Sequence, residues 1–409
     1  MAFAGAKNMR LRENTLDNET ATRRGRADLP FTLLVLILLS IGVIMVLSAS
    51  FASAYYESGD PTYFFKRQLG FAVGGVVAMF IFSRVSMDLY RKFSMPLLAF
   101  AIGLLVMVLL VGETRNYAKR WFRIGGIQFQ PSEIAKVAII MSFSVMICKY
   151  GNGLRRFKLS NWRGFARSFA PFALVLGSIC ALLWLQPHKS AVVIMVAIGA
   201  VVLYAGGFDG RLVAAALAVA AIAVVFLVIK AESSYQAIAE GSETADYAFR
   251  RVVYWLHPEA DPSNGGYQVL QSLYAIGSGG LTGLGLGQSR QKYLYLPEEH
   301  NDYIFAIVCE ELGFIGAMLI LILFAMLIVR GFWIALHARS KFDALVAAGV
   351  TGMLAIQVFL NISVVTNFIP CTGISLPFFS FGGTALLMQL AEMGIILSIS
   401  RDMQVTRNG

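Results

Sequence analysis

Long apolar segments separated by shorter polar ones run along almost the whole chain. Ten of these segments have roughly 17 residues or more, close to the length that an α-helix needs to cross about 30 Å of hydrocarbon. They lie near residues 31–50, 68–83, 94–112, 131–148, 169–186, 190–206, 211–229, 303–329, 344–369 and 374–399. Strict alternation of apolar and polar residues over ten-residue stretches, which is typical of a membrane β-barrel, is absent from the sequence. The pattern therefore predicts an all-α polytopic membrane protein with about ten transmembrane helices in one bundle.

Three polar connections are longer than a packed helical bundle requires. Two of them are residues 113–130 and residues 149–168. The third, residues 230–302, connects the seventh and eighth predicted helices and is too long for a structureless connector in a compact domain. Within it, residues 245–257 and 267–277 have the apolar spacing of two interfacial helices. We therefore expect a large, structured extracytoplasmic loop.

The ends of the chain are polar. Residues 1–29 are basic and predict a cytoplasmic tail, residues 30–400 form the predicted transmembrane domain, and residues 401–409 form a short C-terminal cytoplasmic tail. The first apolar run lacks a small-residue cleavage site and is too long for a signal peptide, so it predicts a retained helix.

Composition and charge fit a membrane protein with a basic cytoplasmic side. The chain is 57% hydrophobic and only 14% charged, and its formal net charge is +10. With ten helices and a cytoplasmic N-terminus, most of the 34 Lys and Arg residues fall on the cytoplasmic side, as the positive-inside rule requires. Basic loops that face anionic lipid explain the net charge, so we expect a membrane and no nucleic acid as the partner of this charge.

The cysteines and histidines do not predict a metal site. The four cysteines show no CxxC spacing, and none of the four histidines stands at ligand spacing from another. We therefore expect neither a zinc site nor a disulfide framework.

A cluster of polar side chains directly precedes the apolar run that starts at residue 303. It contains Glu298, Glu299, His300, Asn301 and Asp302. A carboxylate at the mouth of a membrane helix could be a helix cap. Alternatively, partial desolvation would raise its pKa and suit it to act as a general base.

Other ionisable residues lie inside the predicted spans. Glu133 and Lys136 are three residues apart and share one helix face, so they form either a structural ion pair or a site for an anionic group. Glu310, Glu311 and Glu392 are intramembrane carboxylates, for which function and polar packing are both open.

Several arginines fall in the outer loops. Arg120, Arg123, Arg250 and Arg251 could hold a pyrophosphate through their planar guanidinium groups, or could simply attract lipid headgroups. The glycine-rich residues 277–287 lack the Gly-Lys-Ser/Thr of a nucleotide loop and indicate a tight turn.

A set of short motifs occurs in order along the chain. They are Trp121-Phe122, Gln130-Pro131-Ser132-Glu133-Ile134-Ala135-Lys136, Gln186-Pro187, Gly266-Tyr267-Gln268, Gly279-Gly280-Leu281-Thr282-Gly283, Leu296-Pro297-Glu298, Asp302-Tyr303-Ile304-Phe305-Ala306, Glu310-Glu311-Leu312-Gly313 and Pro377 to Gly383. With these motifs the chain resembles the SEDS family (shape, elongation, division and sporulation), and residues 285–292 resemble its FtsW/SpoVE branch more than RodA. Asn301, Tyr303, Phe381 and the turn at His188 depart from the family pattern.

The resemblance implies a peptidoglycan glycosyltransferase that polymerises lipid II at the outer face of the bacterial cytoplasmic membrane during division or sporulation. It implies Asp302 as the general base, and a class B penicillin-binding protein and other divisome proteins as partners. It leaves open a supporting divalent cation, Mg or Mn. By the resemblance, Arg120, Glu133, Lys136 and Ser380 lie at or near the cavity around Asp302. With Arg250 and His300, which the resemblance does not supply, they are the predicted substrate-binding residues. A lipid II flippase and a non-catalytic scaffold for the penicillin-binding protein are the alternatives.

Overall fold

The structure is a computed structural model that describes residues 25–115, 118–124, 127–154, 162–239, 247–260 and 266–407. The helices are α1 (Leu29–Ser58), α2 (Tyr63–Phe82), α3 (Met87–Val111), α4 (Pro131–Tyr150), α5 (Trp162–Leu185), α6 (Lys189–Ala205), α7 (Gly210–Ala239), α8 (Tyr247–Leu256), α9 (Tyr267–Gly279), α10 (Ile304–Leu336), α11 (Lys341–Val365) and α12 (Thr384–Arg407). The strands are β1 (Glu113–Arg115), β2 (Ala118–Ile124) and β3 (Ile127–Phe129).

The helical prediction is confirmed. Among the described residues, nine helices are long and apolar enough to span a membrane, and α6 is a shorter apolar helix at the place of the sixth predicted span. The boundaries differ from those predicted: α7 extends to Ala239 and so takes in the start of the predicted 230–302 loop, and α12 continues through Arg407. Helices α8 and α9 form where interfacial helices were predicted.

Burial separates central from peripheral helices. In α4, α11 and α12, between 72% and 78% of the membrane-spanning window is buried inside the protein, whereas in α7 none of it is. Helices α2 and α12 approach closely because glycines line their contact: a Cβ on Gly394 would lie 2.5 Å from the carbonyl oxygen of Met79. The centre of the bundle is therefore the α4–α11–α12 group, and α7 faces outward.

Helix α10 is broken at Gly313, whose φ of 68° and ψ of −172° are accessible mainly to glycine. The loop after α9 packs into the break. Leu284 N donates to the carbonyl of Glu310 at 3.0 Å, and Phe314 N donates to the carbonyl of Gly280 at 2.9 Å. The loop therefore supplies the backbone hydrogen bonds that the interrupted helix lacks, as membrane-embedded backbone requires.

The carboxylates of Glu310 and Glu311 are buried and have local partners. Glu311 accepts hydrogen bonds from Lys292 Nζ at 3.0 Å and from Ser48 Oγ at 2.7 Å. Glu310 accepts from Ser289 Oγ and from the backbone N–H of Arg290. From the sequence, both a functional role and polar packing were open for Glu310 and Glu311, and these contacts support polar packing.

The connection at residues 113–130 contains a small sheet that the sequence pattern did not predict. Strands β1, β2 and β3 pair antiparallel in that order, with Glu113 opposite Trp121 and Phe122 opposite Phe129. The sheet leads into α4 and carries Arg120 toward the bundle.

Candidate active site

Asp302 lies in the turn that precedes α10. The helix starts at Ile304 and its N-cap position is Tyr303, without a side-chain capping bond, so Asp302 is not a helix cap. Its backbone carbonyl accepts a hydrogen bond from Asn361 Nδ2 at 2.7 Å. The capping alternative is therefore wrong, and the carboxylate is left for other contacts.

The Asp302 carboxylate occupies a narrow, partly buried slot. Gly373, with φ of 68°, forms one wall: a Cβ there would lie 3.2 Å from Asp302 Oδ2. Burial, and next the repulsion from Glu298, raise the pKa of Asp302 from 3.8 to about 6, while Arg251 and His300 act in the opposite direction. Among the described residues, no side chain or backbone group donates a hydrogen bond to this carboxylate. A carboxylate with a pKa close to neutrality suits general-base chemistry.

Ser380 ties the segment before α12 to the Asp302 turn. Its hydroxyl donates to the carbonyl of Asn301 at 2.8 Å and accepts from the backbone N–H of Leu376 at 2.7 Å. Gln68 Nε2 in turn donates to the Ser380 carbonyl at 3.1 Å. The structure therefore uses the Ser380 hydroxyl to hold backbone, and its predicted role in substrate binding stays a prediction.

The His300 ring packs beside the slot. It stacks on Phe64 with ring centroids 4.4 Å apart, and its Nδ1 lies 3.2 Å from a carboxylate oxygen of Glu299. The backbone carbonyl of His300 also accepts from Phe381 N at 2.8 Å. The ring is therefore held in place next to Asp302, and a substrate contact stays a prediction.

Among the described side chains, Arg251 on α8 is an arginine whose charge acts on Asp302. Its Nη1 donates to the carbonyl of Cys371 at 3.3 Å, two residues before Gly373. The side chain of Arg250, predicted to bind substrate, lies outside the described residues. Neighbouring residues on a helix point in directions about 100° apart. The Arg-Arg pair therefore marks the region, but the sequence alone does not say which arginine reaches the site.

A second group of charges lies at the start of α4. Lys136 Nζ is 2.7 Å from Glu133 Oε2, both side chains are largely buried, and the contact is not aligned as a hydrogen bond. Arg120 donates to the carbonyl of Pro187. His188 belongs to the same group, since burial and then the charges of Arg120 and Lys136 lower its pKa from 6.5 to about 3. The structure thus brings Arg120, Glu133 and Lys136 together around a neutral imidazole.

The two groups lie at one face of the bundle and are linked by the segment between α11 and α12. Ser190 Oγ, near the start of α6, donates to the carbonyl of Thr372, which is adjacent to Gly373. Thr384 Oγ1, at the start of α12, donates to the carbonyl of Gln128 at 2.8 Å. These hydrogen bonds connect the segment beside Asp302 to the start of α6, and the start of α12 to the strand that precedes α4; a single site that includes both groups stays a prediction.

The described side chains offer little for a divalent cation by themselves. No group of three or more His, Cys, Asp and Glu residues among them could hold a metal ion. A Mg or Mn ion usually keeps waters and takes ligands from substrate phosphates. A supporting cation would thus depend on the substrate for most of its ligands, and it stays a prediction.

Known proteins resemble this chain over most of its length. A family model for FtsW, RodA and SpoVE, described as "Cell cycle protein", matches residues 29–405. Stage V sporulation protein E of Bacillus subtilis is 41% identical over 383 residues, which are 93% of this chain and 98% of that protein. The "Probable peptidoglycan glycosyltransferase FtsW" of Trichlorobacter lovleyi is 37% identical over 94% of this chain and 95% of its own.

Two solved structures share the architecture. One belongs to work described as "Structural coordination of polymerization and crosslinking by a peptidoglycan synthase complex", with a TM-score of 0.71 and 28% identity over 92% of this chain and 98% of that chain. The other is the rod shape determining protein RodA of Thermus thermophilus, with a TM-score of 0.62 and 25% identity over 92% and 97% of the respective chains.

Proposed function

The chain belongs to the FtsW/RodA/SpoVE (SEDS) family of cell cycle proteins, and from that membership we propose that it is a peptidoglycan glycosyltransferase that polymerises lipid II. The reaction takes place at the outer face of the bacterial cytoplasmic membrane, with both termini of the chain in the cytoplasm. The observation that carries the proposal is the partly buried Asp302 carboxylate, with a pKa of about 6, on which the positive charge of Arg251 acts.

Asp302 acts as the general base. The acceptor sugar hydroxyl attacks the anomeric carbon of the lipid-linked donor, and its proton moves to the Asp302 carboxylate as the new C–O bond forms. The bond from the anomeric carbon to pyrophosphate breaks on the opposite side, so the configuration inverts. Proton removal of this kind contributes about 10²–10⁴-fold to the rate. One base is sufficient because pyrophosphate is already a good leaving group.

The cations balance the charge that develops on the pyrophosphate. Arg251 acts on Asp302, and Arg120 and Lys136 lie around His188. Fixed positive charge at the leaving group lowers the barrier without reorganisation during the reaction. His188 remains neutral between Arg120 and Lys136, so it adds no charge to this region, where the two cations outnumber Glu133.

Partner proteins follow from the family. One similar solved structure is described as part of a peptidoglycan synthase complex, and we infer a class B penicillin-binding protein as the partner that crosslinks the glycan. Other divisome proteins are the further partners expected of a division or sporulation enzyme.

A flippase receives less support from the structure. A translocation path would expose the intramembrane carboxylates, but Glu310 and Glu311 are buried and hydrogen-bonded to Ser289, Lys292 and Ser48. A scaffold without catalysis would not require a carboxylate held in a desolvated slot.

Purified protein with fluorescent lipid II, with and without a class B partner, tests the proposal by gel analysis of glycan strands. Asp302→Asn should abolish strand formation while leaving expression and folding intact. Asp60→Asn is the matched control, because Asp60 is a partly exposed carboxylate in the α1–α2 turn, paired with Lys66. Strands of normal length and rate from Asp302→Asn would refute the general-base role, and export of lipid II without polymer would favour the flippase.

A further inference from the structure

Asn361 is a fully buried amide on α11 whose nitrogen serves two distant pieces of backbone. Nδ2 donates to the carbonyl of Asp302 at 2.7 Å and to the carbonyl of Ile374 at 2.7 Å. A side-chain amide nitrogen has two hydrogens, so both are used on main-chain acceptors. The side chain has 0% relative exposure, so water does not replace these bonds.

The two carbonyls belong to the two walls of the Asp302 slot. One is the backbone of Asp302 itself, and the other follows Gly373, where an added Cβ would lie 3.2 Å from Asp302 Oδ2. One amide therefore sets the separation between the general base and the glycine wall. Ser380 also holds the turn, but its bonds go to Asn301 and Leu376, whereas the Asn361 amide bonds Asp302 itself and the residue next to Gly373.

We propose that Asn361 is a positioning residue of the glycosyltransferase site, which holds the Asp302 carboxylate beside Gly373 and limits its exposure to solvent. The inference rests on the proposed function, because it gives Asn361 its role through the general base. Asn361 itself need not touch substrate. Its loss would leave two buried carbonyls without their donor, and the two walls would separate to admit water.

If the two walls of the slot separate, the pH dependence of the reaction should change. A loss of folded protein would lower the rate but leave the pH dependence as it is. The groups that act on Asp302 are Glu298 and His300 in its own loop and Arg251 on α8, and Cys371 and Tyr303 lie beside it. If water enters while these charges stay, the pKa of Asp302 falls from about 6 toward 3.8, because burial is the largest cause of its elevation. The acid limb of the activity profile therefore moves to lower pH.

The experiment compares initial rates of glycan synthesis between pH 5 and 8.5 for the full-length wild type, Asn361→Ala and Thr351→Val, with the partner present. Thr351 is the matched control, since it is a buried polar residue of the same helix whose hydroxyl has no hydrogen-bond partner within the described part of the chain. Asn361→Ala should lower the rate at pH 7.5 by about 10–100-fold, as expected for a misplaced catalytic group. Its acid-limb midpoint should fall by at least half a pH unit, whereas Thr351→Val should leave both quantities unchanged.

If Asn361→Ala has the same acid-limb midpoint as the wild type, the proposal is overturned, whatever its reaction rate. Asn361 is then a purely structural residue. If Asn361→Ala does not fold, Asn361→Ser, which retains one donor, is judged by the same midpoint. Asp302→Asn separates the two failures. Activity in Asp302→Asn rejects the proposed general base, whereas an inactive Asp302→Asn with an unshifted Asn361→Ala midpoint rejects this inference alone.

Discussion

The raised pKa of Asp302 predicts that removing its charge stabilises the protein. A carboxyl whose pKa is higher in the folded state than in the unfolded state binds its proton more tightly when folded. Folding then becomes less favourable as the pH rises from 3.8 toward about 6, and the full cost is present above pH 6. Asparagine has a similar shape but no charge, so Asp302→Asn escapes this cost.

The magnitude follows from the two pKa values. A change from 3.8 to about 6 corresponds to about 3 kcal/mol at 1.36 kcal/mol per pKa unit. The side chain is partly exposed, and solvent screening reduces this to about 1–2 kcal/mol. Such a gain raises the melting temperature by a few degrees.

Thermal unfolding of detergent-solubilised protein, recorded at one fixed scan rate between pH 4 and pH 8, measures the effect. Asp302→Asn should melt higher than the wild type at pH 8, and the difference should shrink as the pH falls toward 4. The control Asp60→Asn should show no such gain, because hydrogen bonds from Lys66 and Thr62 lower the pKa of Asp60 to about 2. An Asp302→Asn protein that melts lower than the wild type at pH 8 would refute the desolvated slot.

Two further changes test the packing around the site. Lys136→Met should destabilise the protein by about 3–5 kcal/mol, because it leaves Glu133 charged and buried, and the double variant Glu133→Gln/Lys136→Met should recover most of this without recovering polymerisation. Melting curves of Lys136→Met, of Glu133→Gln and of the double variant measure the coupling, and additive losses would contradict a paired role. Gly313→Ala should sharply reduce the yield of folded protein, since a Cβ there would lie 2.2 Å from Gly283 N at a φ of 68°. Gly103→Ala, whose Cβ would meet nothing within 4 Å, is the control in size-exclusion profiles, and equal yields would contradict the tight contact.

The helices could be predicted from the sequence, because a spanning segment must be apolar and must satisfy its own backbone hydrogen bonds. Hydrophobic length was therefore sufficient to locate nearly all of them. The strands after α3 could not be predicted, because they are short and their residues do not alternate clearly between apolar and polar. The break in α10 could not be predicted either, because Gly313 stands in an otherwise continuous apolar helical pattern. Its unusual backbone conformation is required only by its contact with the loop after α9.

The site was predictable in part. Asp302 and the Glu133–Lys136 pair stood out because charge next to hydrocarbon is costly, and spacing within one helix predicted the pair correctly. Asn361 was not predicted as part of the site, and Arg251 was predicted only as one of four outer arginines, not as the one that acts on Asp302. Each acts on a residue more than 50 positions away in the chain, and local periodicity contains no information on such contacts.

Most of the buried polar side chains near Asp302 hold backbone. Segments that are not helical, such as those before α10 and before α12, cannot satisfy their own N–H and C=O groups at membrane depth. Asn361, Ser380 and Gln68 supply the missing partners through side-chain bonds to carbonyls and amides. A buried polar residue in this chain is therefore weak evidence for chemistry by itself. Asp302 differs from these three because its carboxylate, among the described residues, has charges around it but no hydrogen-bond donor of its own, which leaves its oxygens available to a substrate hydroxyl.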